Sequence, residues 1–155
     1  MKVLIKLFAV VIFSLLGLPQ LASAQPLITE SEYRIYGGLL EPLSSTVTDA
    51  GSPEFLIVQP EIEKVLTSPI SIQLMVIASD SAMINWDTFK LAYGSLRFDI
   101  TDRFLKLAKK TKSGFRVDGL EIPEGDHRLQ LSVRDSKNRW GAREFVLHVS
   151  KVARQ

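Results

Sequence analysis

The chain has 155 residues and no cysteine, which excludes both a disulfide framework and a lipid-modified cysteine anchor. Its formal charge of +2 comes from Lys2 and Lys6; beyond them 17 Lys and Arg oppose 17 Asp and Glu. A body that is neutral overall, with no aromatic residues interleaved in its basic stretch, is a poor candidate for nucleic-acid binding.

Lys2 and Lys6 precede an apolar run from Leu7 to Leu16 that is broken only by Ser14, and Ala22-Ser23-Ala24 has the small-x-small form of a cleavage site. This predicts a signal peptide over residues 1–24, removed before Gln25. A membrane anchor is the alternative; it needs about 20 apolar residues, and the run softens at Gly17, Pro19 and Gln20. The expected location is periplasmic or secreted, and no integral membrane segment is expected after cleavage. A remainder of this size is long enough for its own core, since a domain of about 150 residues buries roughly two-thirds of its unfolded surface.

Residues 25–53 show no sustained period. Tyr33, Ile35 and Leu39 suit one short strand, but Gly37-Gly38, Pro42, Ser44-Ser45 and Gly51-Ser52-Pro53 interrupt it. From Gln25 to Glu63 Arg34 is the one base against seven acids, while from Lys64 onward 16 bases face ten acids. The asymmetry fits an acidic arm over a basic body, a basic face meant for a partner, or a plain polar leader. Residues 25–53 are expected to be a flexible or loosely docked acidic leader.

The domain is expected over 54–155. Glu54-Phe55-Leu56-Ile57-Val58, stopped by Pro60, suits an edge strand. After Ser68-Pro69, Ile72, Leu74, Val76 and Ala78 alternate with Ser71, Gln73, Met75, Ile77 and Ser79, as in a central strand. Phe89, Leu91 and Tyr93 form the next set; Ile84 and Trp86 are out of step with it, which predicts a bulge or turn near Asp87. Leu96, Phe98 and Ile100 form a fourth strand. Thr101 then changes the period. As a cap ahead of Asp102 it opens a short helix, with Phe104, Leu107 and Ala108 on one face and Lys109-Lys110 at its end. Phe115 and Val117 give a short strand. Leu129, Leu131 and Val133 alternate with Arg128, Gln130, Ser132 and Arg134, and Phe145, Leu147 and Val149 with Glu144, Val146 and His148, so residues 135–142 turn a hairpin. The sum is seven or eight strands and one short helix, without repeats.

The run Pro123-Glu124-Gly125-Asp126-His127, followed by Leu129-x-Leu131-x-Val133-x-Asp135 and a turn at Asn138, resembles the closing hairpin of bacterial immunoglobulin-like domains of exported proteins. The resemblance runs from about Phe55 to Val149 and is specific over residues 122–138. It implies an all-β, immunoglobulin-like β-sandwich. It also implies a non-enzymatic module that binds or scaffolds a partner, protein or glycan, in the cell envelope; a small carbohydrate-binding module is the alternative.

The chemistry-bearing residues are few. His127 and His148 could share a metal site with Asp126 or Glu144, but His127 at its corner also suits closing the preceding loop, as a tyrosine corner does. Asp80, Asp135 and Asn138 offer few oxygens for calcium, which takes six to eight. Asp99 with Asp102 reads as a helix start rather than a carboxylate pair for glycoside chemistry. There is no Gly-x-Ser-x-Gly, His-Glu-x-x-His or phosphate-cradling loop, so no catalytic residue, cofactor or metal is expected. Arg103, Lys106, Lys109, Lys110, Lys112 and Arg116 form a basic run that suits an acidic surface or a solvated helix back. Trp140, between Arg139 and Arg143 in the last loop, offers a flat apolar face with cationic donors beside it, or else caps one end of the core.

Overall fold

The structure, a computed structural model, describes residues 26–37 and 48–150. The expected signal peptide, Leu39, Pro42 and Ser44-Ser45 lie outside the described residues. The chain runs through α1 (Glu30–Glu32), a π-helical turn (Tyr33–Gly37), β1 (Glu54–Gln59), β2 (Val65–Thr67), β3 (Ile70–Ile77), β4 (Ile84–Tyr93) and β5 (Phe98–Asp99). It continues through α2 (Thr101–Leu107), β6 (Lys109–Lys110), β7 (Gly114–Leu120), β8 (Gly125–Asp135) and β9 (Trp140–Ser150). Two sheets result, in the orders β1-β3-β7-β6 and β2-β9-β8-β4-β5, and they face each other as an all-β sandwich.

Alternation of apolar side chains dictates this arrangement. Ile70, Ile72, Leu74 and Val76 of β3 are buried from one sheet. Leu129, Leu131 and Val133 of β8 and Phe145, Leu147 and Val149 of β9 are buried from the other. Burying each such side chain fully is worth about 1.5–3 kcal/mol. Phe89, Phe104 and Phe115 meet at the centre with ring centroids 4.8–6.0 Å apart. β1 is an edge strand, as Pro60 predicts. The irregularity expected near Asp87 is present as a register shift between Asn85 and Lys90. There the Thr88 hydroxyl donates to the Asn85 carbonyl at 2.7 Å and accepts from the Arg134 N–H at 2.8 Å, standing in for a lost rung of the ladder. Asn138 adopts a left-handed conformation with φ 61°, the turn residue expected there.

Several local expectations are corrected. Nine strands form among the described residues, because β2, β5 and β6 are two- or three-residue pairings too short to impose a period on the sequence. The fourth strand shrinks to β5, and Leu96 lies exposed in the turn before it. Thr101 is the first helical residue and not the cap: its N–H donates to Asp99 Oδ1 at 2.9 Å, and its hydroxyl accepts from the Leu91 N–H at 2.9 Å. α2 stops at Leu107, because Ala108 is extended and Lys109-Lys110 pair with Arg116 and Phe115 as β6. The outer face of β8 is not uniformly wet, since Arg128 is buried with its Nη1 3.2 Å from Glu144 Oε1 across the ladder.

The largest difference concerns the expected leader. Tyr33 and Ile35 lie in a helical turn rather than a strand. Leu27 and Ile28 are in the core, 0% and 1% exposed. Thr29 and Glu32 form a capping box, and Glu32 takes a bidentate grip from Arg103 of α2 at 2.7 Å on both oxygens. Tyr33 packs on His127, and Tyr36 stacks on Phe98 with centroids 4.8 Å apart. Gly125, at φ 131°, leaves the space that the Tyr33 hydroxyl fills. Further on, Asp49 Oδ2 accepts the Trp140 N–H at 2.7 Å, and Gly141 admits the Pro53 backbone where a side chain would collide. Both described stretches of the leader are therefore docked. Leu27 and Ile28 are spent on the body while Ile35 stays exposed, a division that a composition average cannot register.

Candidate functional site

The turn between β8 and β9 gathers the residues expected for recognition. Asp135 Oδ1 accepts N–H groups of Lys137 and Arg139, both at 2.9 Å, and its Oδ2 lies 2.8 Å from Arg139 Nε. Arg139 Nη1 reaches Asp80 Oδ2 at 2.9 Å, and Nη2 reaches the Ser79 carbonyl at 3.3 Å. Burial alone would raise the Asp135 carboxyl; the hydrogen bonds from Arg139 and Lys137 outweigh it and hold the group below the ordinary range. Asp80 and Asp135 do meet at one end of the sandwich, as their loops suggest. The guanidinium of Arg139 occupies the place between them that calcium would need, and Asn138 turns to Arg134.

Arg143 is spent differently: its Nη1 donates to the Phe55 carbonyl at 2.7 Å, tying β9 to the edge strand β1. Trp140 is the first residue of β9, not a loop residue, and is half-buried with its backbone held by Asp49. Arg139, Trp140 and Arg143 thus form a structural clamp, and the two cations are not presented together to solvent.

The basic run is divided between elements. Arg103 points to the N-terminal segment, donating also to the Leu27 carbonyl at 2.8 Å. Lys106 lines a mixed-charge groove of about 680 Å³ beside Lys90, Asp99 and Asp102. Lys109 and Lys110 are exposed on β6, and Lys110 Nζ sits 5.5 Å above the Trp86 ring. Lys106, Lys109 and Lys110 therefore do not share one helix face.

His127 is completely buried, with Nε2 2.8 Å from the Pro123 carbonyl and Nδ1 3.0 Å from the Tyr93 hydroxyl. It closes the loop before β8, the structural role its position suggests. His148 instead pairs with Asp126, its cross-strand neighbour, at 2.6 Å. The two imidazoles do not converge, and among the described residues no three metal-ligating His, Asp or Glu gather. Nor is any described helix long and apolar enough to cross a membrane.

At the opposite end from the β8–β9 turn lies a groove of about 600 Å³ that sequence reasoning missed. Ile28, Ile122 and Val149 form its floor, and Pro26, Pro69 and Pro123 its walls. Glu30, Glu121 and Glu124 stand at its rim. The wall is closed where the Ile122 N–H donates to Ser68 Oγ at 3.2 Å. Glu121-Ile122-Pro123-Glu124 is the local signal in the sequence. Its partners lie 52 to 95 residues upstream of Glu121 and, at Val149 and Ser150, downstream, so they could not be paired with it before folding brings them together.

Compared with protein-family models, curated proteins and solved structures, the chain matches none.

Proposed function

We propose that the chain is an exported immunoglobulin-like module, without catalytic activity, that binds or scaffolds a partner in the cell envelope. The observation supporting this reading is the strand order. An immunoglobulin constant-type sandwich sets strands A, B, E and D against G, F and C. With β1, β3, β4, β6, β7, β8 and β9 read as A to G, the two sheets have that order. β2, parallel to β9, then acts as a continuation of the first strand on the opposite sheet, and β5 as an added strand beside β4. His127 stands at the start of the sixth of these strands and bonds the carbonyl four residues upstream, the task of the tyrosine corner. Sandwiches of this kind act through loops, edges and grooves carried on a rigid frame. Export rests on the basic, apolar and small-residue sequence of residues 1–24.

Cell fractionation with N-terminal sequencing tests export, with a mature chain beginning at Gln25 in the periplasm or medium as the expected result. Photo-reactive residues placed at exposed Leu56 and Leu96 and in the groove, at Ser150, then report partners in intact cells. A discrete envelope adduct at one position and not the others supports the reading. An uncleaved cytoplasmic chain, or a mature protein without an adduct at any of the three positions, overturns it.

A further inference from the structure

The groove at the open end of the β8–β9 hairpin has an unusual chemical bias. Its walls carry three prolines, which have no N–H to donate, and its rim carries three carboxylates, which only accept. Among the described residues lining it there is no Lys, Arg or His. The floor is formed by Ile28, Ile122 and Val149, and Pro26 and Pro69 are exposed above it. Its volume of about 600 Å³ falls in the usual range of ligand sites, roughly 300–1,000 Å³. A surface that is apolar at its base and acceptor-rich at its edge complements a donor-rich ligand with an apolar side chain between cationic ones.

We propose that this groove docks a short cationic peptide segment of an envelope protein, seating an apolar side chain against Ile28, Ile122 and Val149 while Lys or Arg side chains meet Glu30 and Glu121. This deepens the reading of the chain as a binding module and rests on it. The segment does not add as a strand, since Ile122 N–H is already committed to Ser68 and the prolines offer no donor for one. The affinity is modest and salt-dependent, because the rim charges are exposed. Glu30 reaches the rim only because the capping box and the Arg103 grip hold residues 26–32 against the body. The docked N-terminal segment therefore builds half of the site.

The test uses the mature chain and fluorescently labelled hexapeptides read by anisotropy. One peptide alternates Lys with Leu, a second Lys with Ser, and a third Glu with Leu. The Lys/Leu peptide is expected to bind, and the other two to bind at least about tenfold more weakly. Glu121→Lys and Glu30→Lys are each expected to weaken the Lys/Leu peptide by about tenfold, whereas Arg116→Glu, in β7 and outside the groove's lining, leaves it unchanged. Equal binding of Lys/Leu and Lys/Ser, or binding indifferent to both reversals, overturns the proposal. So does competition by spermidine at the peptide's own concentration, which would make the groove a polyamine site. Tighter peptide binding by the Lys151→Glu, Arg154→Glu double variant also overturns it, by assigning the groove to the chain's own C-terminal residues. Photo-crosslinking separates this proposal from the reading beneath it. An envelope adduct at Leu56 or Leu96 with none at Ser150 ends the groove assignment and leaves the module; none at any position ends both.

Discussion

His127 Nδ1 lies 3.0 Å from the Tyr93 hydroxyl, with both side chains fully shut off from solvent. Because the Pro123 carbonyl facing Nε2 can only accept, Nε2 carries the proton and Nδ1 accepts from the phenol. The pair therefore fixes a neutral imidazole in the core. Burial pushes the His127 pKa below its ordinary value and that of Tyr93 above its own.

That arrangement sets a pH dependence. In the unfolded chain His127 takes a proton near 6.5, the ordinary histidine value, while in the folded chain it resists until lower pH. Its contribution to stability is thus complete above 6.5 and is lost as pH falls from there toward the lowered folded value. Urea unfolding at about pH 7.5 and about pH 5.5 is expected to show this loss, and His127→Phe to flatten it. At the higher pH the same substitution is expected to cost about 1–3 kcal/mol, the penalty for leaving the Tyr93 hydroxyl unpaired.

Glu32 behaves in the same direction at lower pH. The Arg103 guanidinium, followed by hydrogen bonds from Thr29, lowers its carboxyl from 4.5 to about 2 against an opposing effect of burial. Its contribution is present above 4.5 and disappears as pH falls toward 2. Glu32→Gln is expected to cost about 1.5–3 kcal/mol at neutral pH. Hydrogen exchange should locate the loss at residues 27–33, leaving the protection of β3 and β8 unchanged.

The Arg139 clamp makes a different forecast. Arg139→Met leaves the buried Asp135 carboxylate without its main cationic partner, so a clear fall in the thermal midpoint is expected. Asp80→Asn, at the exposed end of the same guanidinium, should cost much less. Millimolar calcium is expected to leave the wild-type midpoint where it was, as read by differential scanning fluorimetry.

Core and surface leucines separate cleanly. Leu131 is 0% exposed, opposite Leu91 in β4, so Leu131→Ala is expected to cost about 2–5 kcal/mol by chemical denaturation. Leu96, 75% exposed in its turn, should tolerate the same change within about 0.5 kcal/mol.

The strands whose residues alternate over eight or more positions, β3, β8 and β9, were legible because one face is buried along their length. The bulge in β4 was legible as a break in that alternation. The N-terminal segment was not, although Thr29-Ser31-Glu32 belongs to a capping-box pattern visible in the sequence. Glu32 acquires its meaning from Arg103, 71 residues away, and Tyr33 from His127. The separation of the candidate recognition residues was hidden for a related reason. Arg139 and Arg143 flank an indole in sequence, but alternation and the turn send one to Asp135 and the other to Phe55. Glu121-Ile122-Pro123-Glu124 alone cannot announce the groove, because it is assembled from four separated stretches.

The docking of Leu27 and Ile28 bears on how the chain is made. A polypeptide leaves the ribosome in order, yet the first described apolar residues rest on groups supplied much later in the chain. Arg103 follows Leu27 by 76 positions, and His127 arrives later still. No early fragment can satisfy its own beginning, so a truncated product carries an unburied apolar start. Burial of Leu27 and Ile28 thus depends on parts of the body made long after them, and their exposure would mark a chain whose later strands are missing.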